Sequence, residues 1–168
     1  MRWDHTPLCN RLSVRLLHAS LSIGQVMKPP DLALTDSPDA DAIALISDGL
    51  DQFNVQVTGI EDRRPIAVLV KDPETQETLG GVTGRTSLGV LFIDVFYLPD
   101  ALRGSGIGSA ILSMVEEEGR RRGCKTAVLY TISFQAPNFY SRYGWNVFGE
   151  IECDPPGTSR IFMRKELV

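Results

Sequence analysis

Apolar residues change their spacing several times along the chain, and each change marks an element. Leu32 to Thr35 reads as a short strand. Ser37 or Asp39 can cap a helix through Ile43, Leu45, Ile46, Leu50 and Phe53, whose spacing gives one apolar face. Ile66 to Val70 is a compact β-branched strand, ended by the turn Lys71-Asp72-Pro73-Glu74. Thr78 to Thr86 and Gly89 to Leu98 follow as two strands joined by a turn at Ser87-Leu88-Gly89. The first half is therefore a helix plus an antiparallel meander.

The second half alternates differently. Ile107, Ile111, Met114 and Val115 place a stripe on a helix from about Gly106 to Arg122. Glu116/Arg120, Glu117/Arg121 and Glu118/Arg122 stand at i,i+4 and predict one solvated, ion-paired face. Gly123 ends the helix. Thr126 to Ile132 reads as a buried strand, Gln135 to Tyr143 as a short helix, and Asn146–Ile151 and Arg160–Arg164 as strands. The fold class expected is α+β, layered α/β/α: a mixed, mostly antiparallel twisted sheet with helices on both faces.

The 168 residues are 43% hydrophobic and 23% charged, which fits one globular domain and neither a disordered nor a fibrous chain. A formal net charge of -4 argues against a nucleic-acid or anionic-membrane binder and favours cationic small partners. Cys9, Cys124 and Cys153 are widely separated, and His5 and His18 are the only histidines. No metal site or disulfide is expected from that set, and reduced thiols point to the cytoplasm. No run reaches the roughly 18 apolar residues of a membrane helix. Residues 1–26 carry three arginines and one acid, against 14 basic and 20 acidic residues in the remainder. They are expected to be an N-terminal extension, leader or mis-assigned start outside the core, with residues 27–168 forming a single domain.

The segment from Asp94 to Gly108 carries the chemistry. A strand enters a glycine-rich turn, Arg103-Gly104-Ser105-Gly106-Ile107-Gly108, which opens directly into an amphipathic helix. Glycines allow close backbone approach, and the free N–H groups of a helix start favour an anion. Arg103 adds a permanent charge, so a diphosphate is the expected guest. A P-loop would need Lys followed by Ser or Thr, and a dinucleotide fingerprint would need a glycine where Ser109 stands. Neither pattern is met.

That hexapeptide resembles the R-x-x-G-x-G motif of the GNAT (Gcn5-related) N-acetyltransferase family, and the element order from Leu32 to Leu167 is similar too. The resemblance implies an acetyl-CoA-dependent acyltransferase with a sheet splayed between strands ending near Leu98 and Ile132. Gly104, Ser105, Gly106, Ile107 and Gly108 would hold the coenzyme A pyrophosphate, with Arg103 beside them. Val95, Phe96 and Tyr97 would bind the pantetheine arm as an added strand and offer an N–H to the thioester oxygen. A second stretch, Ser133 to Trp145, resembles the family's N-x-x-A-x-x-x-Y-x-x-x-G-F, with Ala136, Tyr140, Gly144 and Trp145 in register. Ser133 stands where the family often has asparagine, and Asn138 is the nearby amide available in its place. Tyr140 would protonate the departing thiolate, whose ordinary pKa near ~8.5 needs only modest help. Tyr143 is the rival hydroxyl.

An attacking amine must first be neutral, which for a lysine-like group costs roughly 4–5 kcal/mol near pH 7. Asp94, on the strand nearest the thioester, is the leading candidate base, and Asp48, Asp51 and Glu150 are the others. By resemblance, the segment containing Asp48, Asp51, Phe53 and Asn54 forms one wall of the acceptor pocket. Glu150, the loop Cys153–Gly157 and the strand with Arg160 and Phe162 form another. Acidic walls suit a polycation, so an aminoglycoside-type antibiotic or a polyamine is the specific acceptor expected. A protein or peptide N-acetyltransferase and a non-catalytic acetyl-CoA sensor are the alternatives. A homodimer is compatible with the chain but not specified by it.

Overall fold

The computed structural model of the protein describes residues 30–168, so the expectation about residues 1–26 lies outside the described residues. Asp39–Val168 forms one compact unit. Its elements run α1 (Ala40–Thr58), β1 (Arg64–Lys71), β2 (Thr78–Ser87), β3 (Val90–Tyr97), α2 (Ile107–Arg121), β4 (Thr126–Ile132), α3 (Pro137–Arg142), β5 (Asn146–Cys153) and β6 (Thr158–Glu166), with a 3-10 turn at Asp100–Leu102. The strand expected at Leu32 to Thr35 is absent. A strand needs a ladder partner, and this segment has none among the described residues; Leu32 and Leu34 are fully exposed.

Asp39 is the cap that starts α1, its carboxylate accepting the Ala42 N–H at 2.7 Å, and Gly59 ends the helix in the left-handed region. Despite its length of 19 residues, α1 buries none of its side chains. The strands order β1-β2-β3-β4-β6-β5 in one mixed sheet. Every pair is antiparallel except β3 with β4, which pair in parallel. Asp62 sets the β2–β3 turn by accepting the N–H groups of Leu88 and Gly89 at 2.7 and 2.9 Å.

The core lies between the sheet and α2, where Leu112 and Val115 meet Val82, Leu91, Ala127 and Met163 at essentially zero exposure. Each of the Leu, Val and Met side chains contributes about 1.5–3 kcal/mol on burial, so α2 is held by its apolar stripe and not by helix propensity. The acidic run corrects the expectation of one solvated face. Glu118 does pair with Arg122 at 2.6 Å and Glu116 approaches Arg120 at 3.6 Å, but Arg121 pairs with Glu118, not Glu117. Glu116 is buried: its carboxylate accepts the Trp145 indole N–H at 2.9 Å and the Lys165 ammonium at 2.6 Å. Charge spacing on a helix reports candidate neighbours, and only the packing of β6 and Trp145 decides which face is dry.

Candidate active site

The parallel pairing of β3 with β4 spans only Val90–Phe92 against Thr126–Val128. Beyond Phe92 the two strands separate, while β3 continues to pair with β2 through Tyr97. The backbone edge of Ile93 to Tyr97 that faces β4 is thus left free, which is the splay the resemblance implied. A chain lying in that gap can add to the edge like an extra strand. Val95 and Tyr97 are exposed beside it, whereas Phe96 turns inward toward Tyr140 with ring centroids 6.5 Å apart.

At the mouth of the gap stands the start of α2. Gly104 and Gly106 have φ of +75° and +89°, and a side chain added at either would meet nothing within 4 Å. The loop therefore fronts open space, the shape a diphosphate needs. The first helical bond runs from the Ala110 N–H to the Gly106 carbonyl, so the N–H groups of Gly104 to Ser109 have no backbone partner. Arg103 is less free than its sequence position suggests. Its guanidinium donates to the Leu98 carbonyl at 2.9 Å and pairs with Asp100 at 2.7 Å, so it braces the loop as well as charging it. Ile107, the first residue of α2, is partly buried against the core.

Phe139 packs against Gly108, which sets α3 beside the start of α2. Tyr140, next along α3, is 8% exposed among Phe96, Phe139 and Trp145. Among the described residues the Tyr140 hydroxyl has no hydrogen-bond partner, and no side-chain oxygen there is both fully buried and unpaired. Burial pushes the phenol up to about 12, which keeps it protonated and available as a donor throughout the physiological range. Tyr143 is more exposed and packs its ring against Phe139 in a tilted pair with centroids 5.1 Å apart.

The other expected residues fall in distinct places. The Ser133 hydroxyl accepts the Ser159 N–H at 3.1 Å, tying the end of β4 to β6, and keeps its own proton to donate. Asn138 is exposed on the first turn of α3. Asp94 lies on the sheet face turned away from α2, paired with Arg85 at 2.5 Å, and Arg85 covers Phe92 at 4.6 Å. Its charge is therefore shared with a guanidinium and not free.

Glu150 accepts from the Ser159 hydroxyl and lines an open depression of about 500 Å³ with Glu152, Asp154 and Thr158. Through Ser159 this depression adjoins Ser133. Asp154 belongs to the Cys153–Gly157 loop expected from sequence as an acceptor wall, whereas Glu152 was not singled out, although an acid beside Cys153 is visible there. The α1 residues are not gathered with these. Asp48 and Asp51 border a separate depression with Gln56, Ile60 and the Ser87-Leu88 turn. That turn is eight residues from Phe96 along β3, roughly 26 Å at about 3.3 Å per residue. Asp51 is paired with Arg63, Asn54 accepts from Thr58, and Phe53 is 60% exposed. Among the described residues no three His, Cys, Asp or Glu side chains gather as a metal would require, and no helix is long and apolar enough to cross a membrane.

Comparison with known proteins agrees with this geometry. A family model described as the acetyltransferase (GNAT) family matches residues 35–145. An acetyltransferase of Agrobacterium fabrum is 33% identical over 135 residues, covering 80% of this chain and 98% of the relative. A blasticidin-S acetyltransferase of Streptomyces morookaense is 32% identical over 113 residues, covering 66% of this chain and 83% of the relative. A crystal structure of an acetyltransferase from Agrobacterium tumefaciens superposes with a TM-score of 0.73 at 32% identity, covering 82% of this chain and 99% of that one. A strand edge freed by the divergence of β3 and β4, a glycine-fronted helix start at its mouth and a buried tyrosine beside it thus occur in a chain that belongs to the GNAT acetyltransferase family.

Proposed function

We propose that the protein transfers the acetyl group of acetyl-CoA to a primary amine of a small cationic molecule, by direct attack on the thioester. The divergence of β3 from β4 after Phe92, with Tyr140 beside it, carries this reading. In it, the unpaired N–H groups of Gly104 to Gly108 hold the pyrophosphate. The free edge of Val95 to Tyr97 holds the pantetheine and donates to the thioester oxygen. Ser133 and Asn138 supply side-chain donors. Tyr140 donates to the departing sulfur. With its phenol at about 12, complete proton transfer to a thiolate near ~8.5 is uphill, so its contribution sits toward the low end of about 10²–10⁴.

Asp94 is the proposed base, acting directly or through water, with Arg85 orienting it. Glu150, Glu152 and Asp154 form the acidic wall that attracts the acceptor. An antibiotic-type amine is the preferred acceptor class, supported by that acidity and by the blasticidin-S relative; aminoglycosides and polyamines share the same chemistry. The test is free-thiol release from acetyl-CoA with aminoglycosides, polyamines, amino acids and peptides, using wild type and Tyr140→Phe. Release with one cationic amine class, about 100-fold slower in the variant, is expected. Equal rates would remove Tyr140 from the chemistry, and release only with peptides would replace the acceptor class.

A further inference from the structure

Helix α1 and the sheet leave two complementary apolar surfaces unpartnered. On α1, Ile43, Ile46, Leu50, Phe53 and Val57 recur at spacings of three and four, each more than half exposed. On the sheet, strand alternation turns Leu69, Phe92, Tyr130 and Phe162 to the face opposite α2, where Leu69 and Tyr130 are about half exposed and Phe148 joins Phe162. Charge separates the two surfaces as well. Asp41 and Asp48 lie in α1 with no basic residue, Asp51 being paired with Arg63, while the open face carries Lys71, Arg160 and Arg164 against Glu166, beside the Arg85–Asp94 pair.

A helix does not keep five large apolar side chains in water without cost, so something covers α1. Its own sheet does not. The Arg63 guanidinium, next to the start of β1, holds Ser47 and Asp51 and fixes the helix in an orientation that buries none of it. We propose that α1 packs on the open sheet face of a second copy of this chain, by reciprocal exchange, and that each acceptor entrance is walled by the partner's helix. The wall clause rests on the proposed function; the docking does not. A 19-residue helix is about 28 Å long and about 10 Å wide, a footprint near ~280 Å². Two exchanged helices, each covering two surfaces, bury on the order of 1,100 Å², which reaches the size of a specific interface. Exchange also explains why Asp48 and Asp51 lie far from Tyr140 of their own chain.

The test uses the full chain. Light scattering is expected to give twice the 18.5 kDa of one chain. With benzoylphenylalanine in place of Phe53, photolysis of a 1:1 mixture of reassociated ¹⁴N and ¹⁵N chains is expected to link position 53 to peptides of β1, β3 or β4. About half of those links should carry mixed labels. A monomeric mass, same-label links alone, or links from position 53 only to α1 would overturn the docking. Leu50→Asp/Phe53→Asp is expected to be monomeric, with its amine KM raised at least 10-fold and its acetyl-CoA Kd unchanged. An unchanged KM in that monomer would overturn the wall. Absence of amine acetylation by wild type would instead sink the function reading, while the cross-links would still decide the docking.

Discussion

Replacing Glu116 by alanine should unfold this protein more readily than any surface charge change. The carboxylate is 5% exposed and accepts hydrogen bonds from Lys165 and the Trp145 indole, with Arg120 at 3.6 Å. Its removal leaves a buried indole N–H and a largely enclosed ammonium without a partner. Breaking a buried pair from one side costs about 3–5 kcal/mol; because Lys165 keeps 20% exposure and can reach water, about 3 kcal/mol is expected. At about 2.1 cal/mol/K per residue, the compact unit Asp39–Val168 gives an unfolding entropy near ~0.27 kcal/mol/K, so the melting temperature should fall by about 11 °C. Lys165→Met should cost about 2 kcal/mol by stranding the carboxylate. The double variant Glu116→Ala/Lys165→Met removes both charges and should be less destabilised than the two singles combined, by at least about 2 kcal/mol. Urea titrations of the four proteins measure this. Additivity within about 0.5 kcal/mol, or a loss below about 1 kcal/mol for Glu116→Ala, would refute the reasoning.

Gly106→Val should abolish measurable acetyl-CoA binding in calorimetry. Its branched side chain would fill the space before the loop and adopt a φ of +89° at a cost of about 1–2 kcal/mol in stability; unchanged affinity would remove the loop from coenzyme binding. Tyr140 makes stability depend on alkaline pH. Its folded pKa, about 12, lies above the unfolded value near ~10, so its contribution is complete below pH 10 and is lost as pH rises through 12. Urea unfolding should therefore weaken by about 2–3 kcal/mol over that interval in wild type and by less in Tyr140→Phe, and parallel curves would refute the assignment.

The sequence by itself determined the elements from α1 to β6 and the loop, while its reading of a strand at Leu32 to Thr35 failed for want of a ladder partner. Hydrophobic periodicity fixed β4 to the residue, because Thr126–Ile132 is bounded by Gly123 and a helix signal, and it placed α2 within one residue at each end. The hexapeptide from Arg103 to Gly108 announced an anion site because glycine spacing and a helix start are local properties. What lies across the chain was invisible. No local rule says that Glu116 is dry, since Trp145 and Lys165 are 29 and 49 residues away. Nor does spacing show that Asp94 is paired with Arg85, or that β3 and β4 part after Phe92, because both depend on register between separate strands. The apolar stripe of α1 was legible as a stripe; whether its own core would take it was decided by the orientation that Arg63 imposes at the start of β1. Periodicity reports how a segment wishes to be buried, and tertiary packing alone decides which surface obliges it.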